Sequence, residues 1–242
     1  VGEREEFHMP AFLKDISAFY GTGEKNESGQ TLEEFLKAYN PYKYKTPSCT
    51  ADAVVFAYEG EQIKNVEELN LLLVKRKNHP SIGFWALPGG FINLQENLDD
   101  TVRRELEEET GVQGISMEQI GTWGNYNRDP RARVITTAYM ALVKKTEVKV
   151  QAGDDAAAAL WWEIGLKETE HIEKDGWSQT EYLLQLENKE QERKTTAVVE
   201  KKERTGLIRE QKLYVKEQGE IAVDHAAIIV QALLILKQRI ES

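Results

Sequence analysis

Apolar positions along the chain fall into two kinds of spacing, and each predicts an element. In residues 31–41, Leu32, Phe35, Leu36 and Tyr39 recur at helical intervals, Thr31 and Glu34 stand as a capping box, and Pro41 closes the stretch. A helix is predicted there. Residues 21–30 (GTGEKNESGQ) are polar and glycine-rich, so the first 20 residues read as an arm. Residues 53–58 and 71–75 are short, apolar and partly β-branched, which predicts two strands joined by a polar loop. Residues 96–110 carry a helical pattern, and Gly111 stands where a C-cap glycine ends a helix. Runs at 120–123, 134–143 and 159–164 predict further strands, so helices and strands alternate in an α/β or α+β manner. No internal repeat is visible.

From residue 176 the character changes. Residues 182–186, 197–199 and 212–215 predict three strands in a charged setting. A helix over 222–240 follows, with Ala226, Ile228, Ile229, Ala232, Leu233, Leu234, Leu236 and Ile240 around most of its circumference. Such a helix must be buried, against its own chain or against a partner. The pattern divides the chain into an N-terminal arm and helix (1–45), a main domain (46–168), and a strand-rich extension ending in the long apolar helix (169–242).

Composition narrows the class. At 242 residues, with 40% hydrophobic and 30% charged, the chain is long enough for a real core and too apolar to be disordered. The single cysteine, Cys49, closes no intrachain disulfide and offers no thiolate cluster for zinc, which fits a reducing compartment. The first eight residues are charged where a signal peptide needs an apolar core, and no apolar run approaches the roughly 18 residues of a membrane span. A cytoplasmic protein is expected; the chain begins with Val rather than Met, so a few native residues are expected to be missing. The net charge of −10 and pI near 5.1 disfavour nucleic acid and anionic membranes as partners, although a local basic patch can override the overall sign.

The densest chemistry lies in GFINLQENLDDTVRRELEEETGV, where Gly90, Glu96, Arg104, Glu105, Glu108, Glu109 and Gly111 are set among apolar Leu106 and Val112. At about 100° per residue, Glu105, Glu108 and Glu109 fall within roughly a 100° arc of one helix face, and Glu107 points away. Like charges at these spacings each cost roughly 0.2–0.5 kcal/mol, which a cation would relieve. Hard carboxylate oxygens suit Mg²⁺ or Mn²⁺, ions that bind through few carboxylates, several waters and substrate phosphates. Leu98, Val102 and Leu106 form the neighbouring stripe that would seat the helix on a sheet. A solvated acidic face is the ordinary account of a charge run, but seven fixed matches arise by chance on the order of once in 10⁸ starting positions.

The motif resembles the Nudix box, complete at every position. The resemblance implies an α/β fold, a Nudix-type α/β/α sandwich with a mixed sheet. It implies that Glu105, Glu108 and Glu109 are metal ligands, with the Gly90 carbonyl as a further one and Arg104 and Glu96 bracing the loop–helix–loop. The ion would be Mg²⁺, with Mn²⁺ as a substitute, and the reaction Mg²⁺-dependent hydrolysis of a diphosphate to two monophosphates. In relatives the group that takes the water's proton often lies outside the box; Asp154 and Asp155 are the candidates here, with Glu108 or Glu109 as alternatives. Relatives often carry a glutamate near the position of Ala158, where this chain has four alanines.

Residues 76–80 (RKNHP), 83–90 (GFWALPGG) and 124–131 (GNYNRDPR) resemble the ADP-ribose pyrophosphatase-like branch of that family. Arg128 and Arg131 flank a turn at Asp129-Pro130, and guanidinium groups suit bidentate recognition of phosphate; an exposed polar turn is the plainer reading. Arg76 is placed either to pair with a phosphate or to cap its strand. Tyr126, Trp123, Trp85 and Phe84 are available for stacking on a base but more often serve packing. His79 reads as a turn residue, His225 as the start of the last helix, and Trp161-Trp162 as strand packing. The expected function is conversion of ADP-ribose to AMP and ribose 5-phosphate, in a homodimer as in many family members. Two alternatives are a Nudix-derived transcriptional regulator sensing ADP-ribose-like ligands and an enzyme that cleanses oxidised nucleoside triphosphates. The nine Lys/Arg against five Glu in 189–216 favour the regulator, and the lack of an amphipathic recognition helix there argues against it.

Overall fold

The computed structural model describes residues 12–153, 156–204 and 206–242, and the chain divides into two compact units, Val1–Thr46 and Pro47–Ser242. In the first unit, helix α1 (Leu32–Ala38) carries the predicted capping box: Thr31 Oγ1 accepts the Glu34 N–H at 3.3 Å, and Glu34 accepts the Thr31 N–H at 2.8 Å. Phe35 and Tyr39 stack one helical turn apart, with ring centroids 5.7 Å apart. No residue of α1 is buried.

The second unit is one mixed ten-stranded sheet with a helix on each face. Its strands are β1 (Ser48–Tyr58), β2 (Asn70–Arg76), β3 (Trp85–Ala86), β4 (Gly89–Phe91), β5 (Glu118–Trp123), β6 (Val134–Lys144), β7 (Ala156–Lys174), β8 (Trp177–Asn188), β9 (Arg193–Arg204) and β10 (Glu210–Glu217). The main path runs β10-β9-β8-β7-β2-β1-β6-β5, with β3 on β2 and β4 on β1. Only β1 and β6 are parallel among these pairs, and they lie side by side through their whole length, Ser48 against Val134 to Tyr58 against Lys144.

Side-chain alternation divides the core. Along β1, Ala51, Ala53, Val55 and Ala57 face helix α2 (Leu98–Thr110), whose Val102 and Leu106 are buried against them. Val54 and Phe56 face the other way, toward helix α3 (His225–Ile240). The expected α/β/α layering is therefore present. The helix expected over 96–110 begins at Leu98 with Asn97 as N-cap, and it ends at Gly111, whose φ of 71° is the left-handed turn that favours glycine.

Helix α3 is covered by its own chain. It packs on β1, β8, β9 and β10, and Ala226, Ile228, Ile229, Val230, Ala232 and Leu233 are fully buried. That removes the reason the apolar pattern gave for a partner at this helix. Its start is tied down three ways. Trp85 exchanges backbone hydrogen bonds with Glu220 (2.9 Å) and Ala222 (2.8 Å); Asp224 accepts from Arg128 Nε and Nη2, both at 2.9 Å; and Thr195 Oγ1 accepts the Glu220 N–H at 2.9 Å.

Strand β7 is far longer than the six residues the pattern predicted, and the boundary expected near residue 168 falls inside it. Residues 168–174 are exposed and lack an apolar face; their order comes from the ladder to β8. The strands beyond it continue the same sheet, and Leu184, Leu186, Ala197, Val199 and Leu213 join the core under α3. Among the described residues, no helix is long and apolar enough to cross a membrane.

Two measurements follow from this packing. Ile229→Ala should lower unfolding free energy by about 2–5 kcal/mol in a denaturant titration, since a fully buried side chain leaves a cavity among close-packed neighbours. Asp224→Asn leaves a buried guanidinium without its counter-charge and should cost about 3–5 kcal/mol. A loss below about 1 kcal/mol in either variant would contradict the placement of α3.

Candidate functional site

Strand β4 pairs with the start of β1, setting Gly89 opposite Asp52 and Gly90 opposite Ala51, and the chain then loops into α2. The apolar stripe of α2 faces the sheet, so Glu105 and Glu109 come to rest against β4 while Glu107 and Glu108 point outward. Backbone approach is close. A Cβ on Gly90 would lie 2.5 Å from the Glu105 carboxylate, and one on Gly89 would lie 2.3 Å from the Ala51 carbonyl oxygen and 2.5 Å from Asp52 Oδ1. Only glycine fits at position 89, where the obstruction is backbone; a side chain at 90 would push the Glu105 carboxylate aside.

Arg104 is the hub that braces this loop. It donates from Nε and Nη2 to Glu96 (2.8 and 2.9 Å), from Nη2 to the Phe91 carbonyl (3.1 Å), and from Nη1 to Glu105 (2.7 Å) and Glu108 (3.1 Å). The guanidinium holds the Glu96 carboxyl down to about 2. The bracing pair expected of Glu96 and Arg104 is thus formed.

The inner carboxylates behave oppositely. Burial raises the Glu105 carboxyl against the pull of Arg104. Burial also pushes Glu109 up to about 7, with Glu105 and Asp52 adding repulsion and the Gly89 N–H, donated to Oε2 at 3.0 Å, opposing it. Asp52, itself buried, accepts the Thr136 hydroxyl at 2.5 Å. Asp52 was not singled out from the sequence, although an acid inside the apolar run TADAVVFAY was a readable signal. In this arrangement no three Asp, Glu, His or Cys side chains among the described residues converge on one ion. Arg104 holds Glu105 and Glu108 instead.

A cavity of about 280 Å³ opens beside β4. Asp52, Gly89, Gly90 and Glu109 line one side, Arg76 and the 77–81 turn another, and Arg128, Asp129 and Arg131 a third. Glu96, Arg104, Glu105 and Glu108 stand behind it, off its wall. Each arginine also has a protein partner. Arg76 Nε donates to the Pro80 carbonyl at 2.7 Å, and Arg131 chelates Asp129 (3.1 and 2.8 Å) over the Phe91 ring. Arg128, expected to meet phosphate, spends two donors on half-buried Asp224.

Phe84, Trp85, Trp123 and Tyr126 do not line the cavity. Trp85 and Trp162 are buried edge to face at 4.8 Å, so the reading of Trp162 as packing holds. His225 does line it, at the first position of α3, with Nδ1 accepting the Leu87 N–H at 2.9 Å. Asp154 and Asp155 lie outside the described residues. Just before them, Gln151 and Gly153 donate backbone hydrogen bonds to the Thr110 (2.9 Å) and Glu109 (3.0 Å) carbonyls at the end of α2.

Comparison with known proteins agrees with this geometry. The NUDIX domain profile matches residues 50–175, just over half the chain. An ADP-ribose pyrophosphatase of Methanocaldococcus jannaschii is 34% identical over 129 residues, 53% of this chain and 68% of that protein. The ADPR responsive transcriptional repressor NtrR of Acinetobacter baylyi is 37% identical over 113 residues, 46% of this chain; the chain spans only 43% of the repressor's length. Among solved structures, a MutT/nudix family protein from Enterococcus faecalis superposes with a TM-score of 0.60 at 30% identity, over 84% of this chain and 68% of that one. With box, brace and layered sheet in place and the profile spanning the box and its brace, the chain belongs to the Nudix family.

Proposed function

We propose that this protein hydrolyses the pyrophosphate bond of a nucleoside diphosphate linked to another moiety, with ADP-ribose, giving AMP and ribose 5-phosphate, as the first candidate and Mg²⁺ as the ion. The observation that carries the reading is the group of carboxylates gathered about Gly89 and Gly90, of which Asp52 and Glu109 line a cavity whose other walls bear arginines. The M. jannaschii relative, named as an ADP-ribose pyrophosphatase, supports the choice of substrate.

The donors fit a hard divalent cation. Glu105 and Glu109 are desolvated, held toward their protonated forms, and repelled by each other; Asp52 adds to the repulsion at Glu109. A divalent charge offsets all of these effects at once. Glu105, Glu108 and Glu109, with the Gly90 carbonyl, would hold Mg²⁺, or Mn²⁺ in its place. When bound, the ion polarises the diphosphate and makes water a stronger nucleophile. The chain's own groups do the rest. Gly89 N–H fixes Glu109 Oε2 and leaves Oε1 free of that bond, Arg104 orients Glu105 through Nη1, and Arg76 and Arg131 offer positive charge to the phosphates across the cavity.

A second reading, a ligand-sensing transcriptional regulator, draws on the similarity to the Acinetobacter repressor. Against it, the described residues of 177–204 and 206–217 are strands and connecting segments, and Lys194, Lys201, Lys202, Lys212 and Lys216 are each paired with a glutamate. Salt-sensitive retention of promoter DNA, released by ADP-ribose, would favour that reading over catalysis.

With Mg²⁺ the protein should release AMP from ADP-ribose faster than it releases monophosphate from an oxidised deoxynucleoside triphosphate, and a chelator should abolish both. No monophosphate from any member of a diphosphate panel would overturn the proposal. Glu109→Gln should lower kcat by orders of magnitude with the thermal midpoint retained, since it removes a ligand charge with almost no change in shape. Near-parental turnover would contradict the role given to Glu109.

A further inference from the structure

His225 sits where the closing helix meets the cavity, and its position rests on three observations. It is about nine-tenths buried, it lines the cavity that also holds Asp52 and Glu109, and its Nδ1 accepts the Leu87 N–H at 2.9 Å. A backbone N–H can only donate, so Nδ1 carries no proton and the neutral ring carries its single proton on Nε2. The tautomer is fixed by the fold. Among the described residues no protein group accepts a hydrogen bond from Nε2. Although the ring as a whole is buried, Nε2 is not among the side-chain atoms shut off from solvent without a partner, so it stays open to the cavity, where an acceptor on a ligand can take the place of water.

Its anchorage is rigid on both sides. Asp224, the preceding residue, is chelated by Arg128, and the Ala222 N–H bonds the Trp85 carbonyl at 2.8 Å. Leu87 and Gly89 belong to one three-residue segment, and their N–H groups bind His225 and Glu109 respectively. The imidazole and the carboxylate are therefore registered on the same stretch of backbone. Burial keeps the imidazole below the usual histidine range, which agrees with the tautomer read from the hydrogen bond.

Resting on the diphosphate reading above, we infer that His225 contacts substrate: Nε2–H donates to an oxygen of the sugar–diphosphate and selects for compounds that place an acceptor there. A neutral donor of this kind recognises an oxygen's position without adding charge to a site already furnished with arginines. It also makes the C-terminal helix part of the substrate site, with Arg128 and Asp224 as positioning residues.

The test compares two near-isosteric variants and one spectroscopic measurement. His225→Asn puts an amide oxygen where Nδ1 was, keeping the Leu87 bond and deleting the Nε2 donor; His225→Gln puts an amide N–H where Nε2 was. Expected are a thermal midpoint for His225→Asn close to the parent's, a loss in kcat/KM for ADP-ribose on the order of ten- to a hundredfold, and partial recovery in His225→Gln. Binding of inorganic pyrophosphate, measured by calorimetry, locates the acceptor. Weakening alike for pyrophosphate and ADP-ribose assigns it to the diphosphate, weakening for ADP-ribose alone assigns it to a sugar, and either supports the inference. A kcat/KM for His225→Asn within twofold of the parent overturns it. Independently of any variant's folding, ¹⁵N-histidine spectra of the parent should show Nδ1 unprotonated and Nε2 shifting on saturation with ADP-ribose in a chelator. The signal is assigned by elimination with variants at His8, His79 and His171. A parent that turns over ADP-ribose while Nε2 stays unmoved sinks this inference alone; a parent that neither binds nor cleaves diphosphates takes the substrate reading and this one down together.

Discussion

Keeping like charges close together is the constraint on which this structure depends. Asp52, Glu105 and Glu109 gather about two glycines in a partly desolvated place, and Glu105 and Glu109 are disfavoured there in their ionised forms by burial and by their neighbours. Arg104 offsets part of that from behind, and the Gly89 N–H offsets a little from the front. The residual imbalance is the physical basis of the proposed cation site. A fully compensated cluster would be more comfortable and chemically idle.

Such an arrangement persists only on a stiff support. Strand β1 supplies it by being buried on both faces, its odd-numbered residues under α2 and Val54 and Phe56 under α3, with β6 alongside through eleven paired positions. Helix α2 delivers the glutamates, while α3 closes the opposite face and sends its N-terminus round to the cavity through Asp224 and His225. The carboxylate-bearing face and the closing helix are in this way held by the same strand, although more than 120 residues separate Gly89 from α3.

What could be read from the sequence was what local spacing encodes. The box, its helix, the Gly111 stop, the α1 cap and the outward direction of Glu107 all depend on residues within about one to six turns of each other. The Glu96–Arg104 brace was expected from the resemblance to the Nudix box, not from spacing alone. Long-range pairing was not legible. Nothing near Arg128 announces Asp224, 96 residues on, so an arginine expected to meet phosphate also fastens a helix. The Leu87–His225 bond spans 138 positions, and His225 looked like an ordinary helix start. Strand β7 was underestimated because its outer half is ordered by ladder bonds while its side chains follow no apolar period.

The distant end of the sheet carries many lysines, and their partners change what that end is. Lys194 meets Glu187, Lys201 meets Glu203, Lys202 meets Glu200, Lys212 meets Glu210, and Lys216 reaches Glu181. Individually the exposed ones among these contacts are worth little to stability. Collectively they interleave plus and minus at intervals shorter than the roughly 8 Å over which physiological salt screens a field. Seen from a few water layers away, the flank is a fine checkerboard whose contributions cancel, so the molecule as a whole presents itself to solution through its acidic surplus.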